Sequence, residues 1–206
     1  MIKRIVYFLI FLNILASATT LDDGISEAKK GHMKNAVHLW EQACMKKVMG
    51  ACQNAARVYD FGDGIKEDDK KALPLYIKAC NAGYMYSCSR LGMLYTEGKI
   101  IAQNDKKAFN LYTKACGGDD MFACHKLAIY YGQKKDKYNT RLALGFHEMA
   151  CEGGNADSCI YLGRTYMDGK IVKQSHSKAK EYFSLACDEH NRLGCREARM
   201  LNDSGY

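Results

Sequence analysis

The sequence predicts an all-α fold, an α/α solenoid of helical hairpins with one local disulfide per repeat. Two observations predict it. Ten cysteines fall into five pairs, each pair eight residues apart, at intervals of 36, 36, 35 and 36 residues: CMKKVMGAC from 44, CNAGYMYSC from 80, CGGDDMFAC from 116, CEGGNADSC from 151 and CDEHNRLGC from 187. The residues flanking each pair repeat with a helical period, and a fixed repeat near 36 residues is the signature of stacked supersecondary units.

The chain opens with Lys3 and Arg4, an apolar run from Ile5 to Leu15, then Ala16-Ser17-Ala18, the layout of a cleavable export signal over residues 1–18. The apolar run is far below the roughly 20 residues that span a bilayer. No membrane anchor is therefore expected after cleavage. Residues 19–206 form the solenoid, about five hairpin repeats plus a C-terminal helix.

Ahead of each first cysteine lies a helix, here termed B. Alanine stands at −1 (Ala43, Ala79, Ala115, Ala150, Ala186) and at −8 (Ala36, Ala72, Ala108, Ala143, Ala179). Bulky residues stand at −4 (Trp40, Tyr76, Tyr112, His147, Phe183) and at −5 (Leu39, Leu75, Leu111, Phe146, Tyr182). These positions form one stripe of a 3.6-residue helix. After each second cysteine comes helix A: +3 carries Ala55, Leu91, Leu127, Leu162 and Ala198; +4 carries Ala56, Gly92, Ala128 and Gly163; +7 carries Tyr59, Tyr95, Tyr131 and Tyr166. The tyrosines and the methionines sit in core register and are assigned to packing. Residues 22–30 predict a capping A helix, and 196–202 a last one.

Between A and B, FGDGIKEDD, TEGKIIAQND and MDGKIVKQSH hold glycines that stop one helix and residues that cap the next. The fourth, GQKKDKYNTR, is one residue shorter and lacks the Gly-plus-Ile/Val pattern, so that turn should differ. Pro74, the only proline, falls inside a B helix and predicts a kink or a late helix start.

On an uninterrupted helix, residues eight apart lie about 12 Å from one another, whereas bridged cysteines need Cα atoms within about 7 Å. The chain must turn between the cysteines of each pair, and Gly50, Gly83, Gly117 with Gly118, Gly153 with Gly154, and Gly194 are the expected turn residues. The bridges predicted are Cys44 to Cys52, Cys80 to Cys88, Cys116 to Cys124, Cys151 to Cys159 and Cys187 to Cys195. Each closes a short loop for about 2.5 kcal/mol in the chain-entropy account. An even cysteine count in an exported chain places the protein in an oxidising compartment, secreted or periplasmic. Metal binding lacks its ligand spacing: there is no C-x-x-C, and His147-Glu148-Met149-Ala150-Cys151 departs from a zinc-protease helix at its fifth residue. No cofactor is expected.

The formal net charge is +7. The basic residues are scattered and not interleaved with stacking aromatics, which excludes a nucleic-acid surface.

The pattern Ala72, Tyr76-x-x-Ala79-Cys80-x-x-Gly83, Cys88-x-x-Leu91-Gly92-x-x-Tyr95-x-x-Gly98 resembles the Sel1-like repeat, a tetratricopeptide relative, and with its cysteine pairs the chain is similar to the secreted Helicobacter cysteine-rich proteins. The resemblance covers residues 22–202. It implies an α/α solenoid with intra-repeat disulfides, export, binding of penicillin-like compounds, and a classification as a weak β-lactamase.

The residues themselves supply little of such an enzyme. Ser26-Glu27-Ala28-Lys29 and Ser177-Lys178-Ala179-Lys180 match S-x-x-K, but S-D-N and K-T-G are missing from the chain. Ser177 stands where a cap for the last B helix is expected. The ligand is instead expected on the A helices, one and five residues after the second cysteine: Gln53 and Arg57, Ser89 and Met93, His125 and Ile129, Ile160 and Arg164, Arg196 and Met200, with Tyr86 and Phe122 at the edge. Arg57, Arg164 and Arg196 can each fork onto a carboxylate, and His125 is the one candidate general base. The ordinary alternative for each is a solvated side chain. Two functions follow: a groove binding a peptide, a peptidoglycan fragment, a β-lactam or a host protein without chemistry, or a weak β-lactam hydrolase.

Overall fold

The computed structural model describes residues 21–134 and 136–206. The expected export signal, residues 1–18, lies outside the described residues. All regular structure among them is helical: α1 across residues 21–29, then α2 (Met33–Met45), α3 (Met49–Phe61), α4 (Asp69–Asn81), α5 (Met85–Glu97), α6 (Asp105–Cys116), α7 (Met121–Gly132), α8 (Lys137–Glu152), α9 (Ala156–Asp168), α10 (His176–Asp188) and α11 (Arg192–Asp203). The even-numbered helices are the B helices and the odd-numbered ones the A helices. No described helix is long and apolar enough to cross a membrane. The chain forms two compact units, one ending at Ala108 inside α6 and one beginning at Phe109.

The B-helix stripe is the core. Ala36, Trp40 and Ala43 of α2, Ala72, Tyr76 and Ala79 of α4, and Ala179, Phe183 and Ala186 of α10 are all buried. The −5 residues are half-buried at its edge. In the first unit α1 closes over α2: Trp40 Nε1 donates to Leu21 O at 3.2 Å, and a Cβ on Gly24 would come within 2.4 Å of the indole. Only a glycine admits the ring there.

The corners after the B helices share one backbone design. The amide four residues after the first cysteine donates to the carbonyl one residue before it: Val48 to Ala43, Tyr84 to Ala79, Asp120 to Ala115, Asn155 to Ala150 and Asn191 to Ala186, at 2.8–3.1 Å. This is a helix C-terminal motif that needs one left-handed residue. That residue lies three after the cysteine, and only Gly83 and Gly154 supply it as glycine; Lys47, Asp119 and His190 adopt φ of 66°, 64° and 61°. The sequence expectation is corrected for Gly50 and Gly194, which lie inside α3 and α11. Gly194 is instead a contact residue, since a Cβ there would come within 2.6 Å of Ala186 Cβ.

All five predicted bridges are present, with Cα–Cα distances of 4.4–4.8 Å. The first four are buried. Cys187 and Cys195 are only half-buried.

The A-to-B loops repeat as well. Gly62, Gly98 and Gly169 end α3, α5 and α9 in the left-handed region. Tyr59, Tyr95 and Tyr166 then accept, through their carbonyls, the amides of Asp68, Asn104 and Ser175 at 2.8–2.9 Å. The side chains of those three residues cap the next helix by accepting from the amides of Lys71, Lys107 and Lys178, and each lysine ammonium lies 5.1 Å from the centroid of the tyrosine ring. The cap of α10 is thus Ser175, and Ser177, expected in that role, lies two residues too late, inside the helix. The fourth turn differs as expected: α7 ends on Gln133 in right-handed geometry, and α8 begins early on the cap Asp136 and runs for 16 residues. Pro74 does not delay its helix. Asp68 caps α4 at Asp69, five residues ahead of the proline, and the helix continues through it.

Candidate functional site: two buried polar junctions and the A-helix face

The expected groove residues divide by position. Five after the cysteine the side chains reach solvent: Arg57 and Arg164 are exposed, Ile129 is 40% and Met200 56% exposed, and Met93 is half-buried. One after the cysteine they mostly do not. Ser89 and Ile160 are buried, Gln53 and His125 half-buried, and only Arg196 is open, held by Glu197 at 2.6 Å. The reason is stacking. Gln53 Oε1 accepts from Ser87 Oγ of the next A helix at 3.2 Å, and His125 Nδ1 lies 2.8 Å from Ser158 Oγ. Ser89 turns back and donates to Tyr86 O at 2.9 Å. At Gln53 and His125 the inner column bonds the next A helix, and the outer column reaches solvent. Phe122, expected at the edge, is half-buried beneath the Lys126 ammonium, 4.8 Å from its centroid.

In the first unit the structure brings Arg57, Tyr86 and Met93 beside a network that sequence reasoning missed. Asp60, buried at the end of α3, accepts from Tyr76 Oη at 2.7 Å, from Arg90 Nε at 2.8 Å and from a second Arg90 nitrogen at 2.6 Å. A third faces Met93 Sδ at 3.4 Å, and the guanidinium lies 4.8 Å from the centroid of Phe61. Burial, then the Asp60 carboxylate, pushes the Tyr76 hydroxyl far up. Tyr86 is also pushed up by burial, with Arg90 and Arg57 opposing. Arg90 is therefore neutralised from within, whereas Arg57 makes no ion pair among the described residues. Asp60 and Arg90 are 30 residues apart; the sole sequence signal was a carboxylate in the buried register next to Tyr59.

In the second unit Ser158 Oγ stands between two imidazoles, 2.8 Å from His125 Nδ1 and 3.1 Å from His147 Nδ1. His147 is stacked on Tyr161 at 3.9 Å. Burial, with His125 adding, pushes His147 down to about 4. His125 is lowered by burial and by Lys126, against Asp157. A hydroxyl has one proton, so it donates to one Nδ1 and accepts from the other. Both rings are neutral in that chain. A serine beside an imidazole is the raw material of nucleophilic catalysis, but Ser158 has no exposed surface.

The other sequence candidates are held elsewhere. Lys180 of the second S-x-x-K binds Asn202 Oδ1 and Tyr206 O at 2.9 and 2.6 Å. In the first, the intervening Glu27 takes Lys30 and His32, which holds its carboxyl down at about 2. Cys151 is bridged to Cys159. Among the described residues no three His, Cys, Asp or Glu side chains gather to hold a metal.

The sequence profile of the Sel1 repeat matches residues 23–48, 50–84, 86–120, 122–155 and 156–191. A search of curated proteins returns no significant match. Among solved structures, the chain is similar to c5321, described as a protective antigen of uropathogenic Escherichia coli, at 19% identity and a TM-score of 0.77 over 92% of this chain; it spans only 42% of that protein's length. It is similar to a Sel1 repeat protein from Oxalobacter formigenes at 19% identity and a TM-score of 0.74, covering 91% of this chain and 86% of the other. Helicobacter pylori cysteine rich protein B is matched at 22% identity and a TM-score of 0.30, over 79% of this chain and 91% of its own. In the phase of the profile, the first four bridges each join one repeat to its successor and the fifth ties the last matched repeat to α11; counted from B to A, each lies within one.

Proposed function

The chain belongs to the Sel1 repeat family, and from that premise we propose that it is an extracytoplasmic binding module whose first unit holds a carboxylate-bearing partner on the outer column of its A helices. The repeat scaffold with its disulfides is of a kind typical of protein–protein interaction, and five bridges fit an oxidising compartment. The observation that carries the reading is the contrast between two arginines. Arg90 is neutralised by Asp60, while Arg57, beside the Tyr86 ring, is exposed and makes no ion pair among the described residues. A planar donor fork next to an aromatic edge takes a carboxylate in two hydrogen bonds and packs what is attached to it. Peptide C-termini, peptidoglycan stem peptides, penicillin-like compounds and acidic segments of a host protein all offer that group. Periplasm and medium both provide the setting.

Titration of the oxidised protein with a fluorescent peptidoglycan stem peptide and with a fluorescent penicillin tests the reading. Arg57→Ala should weaken whichever ligand binds by about tenfold, the scale of one charge-assisted pair. Equal affinity in the variant, or retention of neither ligand, removes Arg57 from the binding role. One observation favours hydrolysis as a second reading, the Ser158 hydroxyl between two neutral imidazoles. Turnover of a chromogenic cephalosporin that is lost in Ser158→Ala would support it. Turnover no faster than buffer would end it.

A further inference from the structure

Inside the second unit, an A helix is covered by the following hairpin at three places. Three residues before its cysteine, Met121 lies under the next corner, where a Cβ on Gly153 would come within 2.4 Å of Met121 Cγ. One residue after, His125 meets Ser158 of the next A helix. Four after, a small residue admits the next B helix: a Cβ on Gly163 would come within 2.5 Å of the Phe183 ring.

The corresponding residues of α11 are Arg192, Arg196 and Arg199, and all three are exposed. In the four earlier A helices the three places hold Met or Ala, then Gln, Ser, His or Ile, then Ala or Gly, and never a charged residue. The arginines stand at i, i+4 and i+7, one face of a helix, and span about 10.5 Å along its axis. Arg196 is paired with its neighbour Glu197, whereas Arg192 and Arg199 make no ion pair among the described residues. Asp203 ends the same face, and the exposed Met200 borders it.

We propose that this face of α11 docks an acidic helix of another protein, seated where the helices of one more hairpin would lie. The shape argument is internal to the second unit, which uses this face of α7 and α9 to receive the elements that follow them. The charge argument names the occupant. Burying guanidinium groups without partners is costly, so an apolar hairpin is refused, while a helix with Glu or Asp at matching spacing offsets the cost through forked hydrogen bonds. The surface is independent of the Arg57 site.

The test uses the full oxidised chain and a labelled helical peptide with Glu at i, i+4 and i+7, followed by fluorescence anisotropy. A Lys-for-Glu peptide and phosphatidylglycerol vesicles form the other arms. Saturable binding of the Glu peptide is expected, weakening as salt is raised and falling about tenfold in Arg192→Glu/Arg196→Glu/Arg199→Glu, since exposed pairs contribute modestly and three act together. Circular dichroism melting of the triple variant matched to the parent keeps the comparison valid. Equal binding of the Glu peptide by the triple variant, equal binding of the Lys peptide, or binding to the vesicles alone would overturn the proposal.

Discussion

Both units bury a polar ring at the same place, four residues ahead of a B-helix cysteine, and hold it by opposite means. Tyr76 in the first unit donates to a carboxylate that an arginine also grips. His147 in the second is a neutral imidazole that shares one serine hydroxyl with another. The position selects a flat ring of a given bulk, since Trp40, Tyr112 and Phe183 fill it elsewhere. It leaves the surrounding chemistry free. An ionic junction is costly to break and a neutral imidazole junction is easy to titrate, so the same slot yields two different responses to change.

The largest expected effect tests the ionic side. Asp60→Ala leaves the Arg90 guanidinium partly buried without its anion and Tyr76 without its acceptor, at a cost of about 3–5 kcal/mol. Denaturant unfolding measures it, and a loss below about 1 kcal/mol would mean that water replaces the carboxylate. The next effect tests the neutral side. Both imidazoles titrate below the ordinary histidine range when folded, His147 at about 4, so the folded chain binds fewer protons than the unfolded one in mild acid. Stability is full above the unfolded value near 6.5 and is lost as pH falls from there toward 4, by about 3 kcal/mol at most from His147. Thermal melting at pH 7 and pH 4.5 should show this drop, and His147→Phe, which keeps the ring, should flatten it. An unchanged pH slope in that variant would assign the acid response to other groups. The smallest effect lies in the loops common to both units: Lys107→Ala or Lys178→Ala should each cost about 0.5 kcal/mol by uncovering a tyrosine face, a change in melting temperature too small to alter the contrast above.

The sequence carried what is periodic. Alanines at −1 and −8 and bulky residues at −4 mark the B-helix core because a helix repeats its own face, and the cysteine spacing fixes the bridges because eight residues cannot close without a turn. What links one hairpin to the next follows no local period. Gln53 with Ser87, His125 with Ser158, and Asp60 with Arg90 are 30 to 34 residues apart, so two members of the inner column read as groove, Gln53 and His125, bond the next A helix instead. The corner glycines misled for a different reason: the hydrogen-bonded corner demands a left-handed residue at one place, and Lys47, Asp119 and His190 bear that strain where a covalent tie holds the corner shut. Ser177 was misplaced as a cap because Ser175, two residues earlier, has the same chemistry and the better start.

Because every crosslink closes within a separation of eight residues, the chain carries its oxidation schedule in its order. A polypeptide crossing a membrane N-terminus first can complete each bond once that short segment has emerged, needing no thiol still to come. Nothing synthesised later has to be awaited, and little scrambled pairing has to be undone.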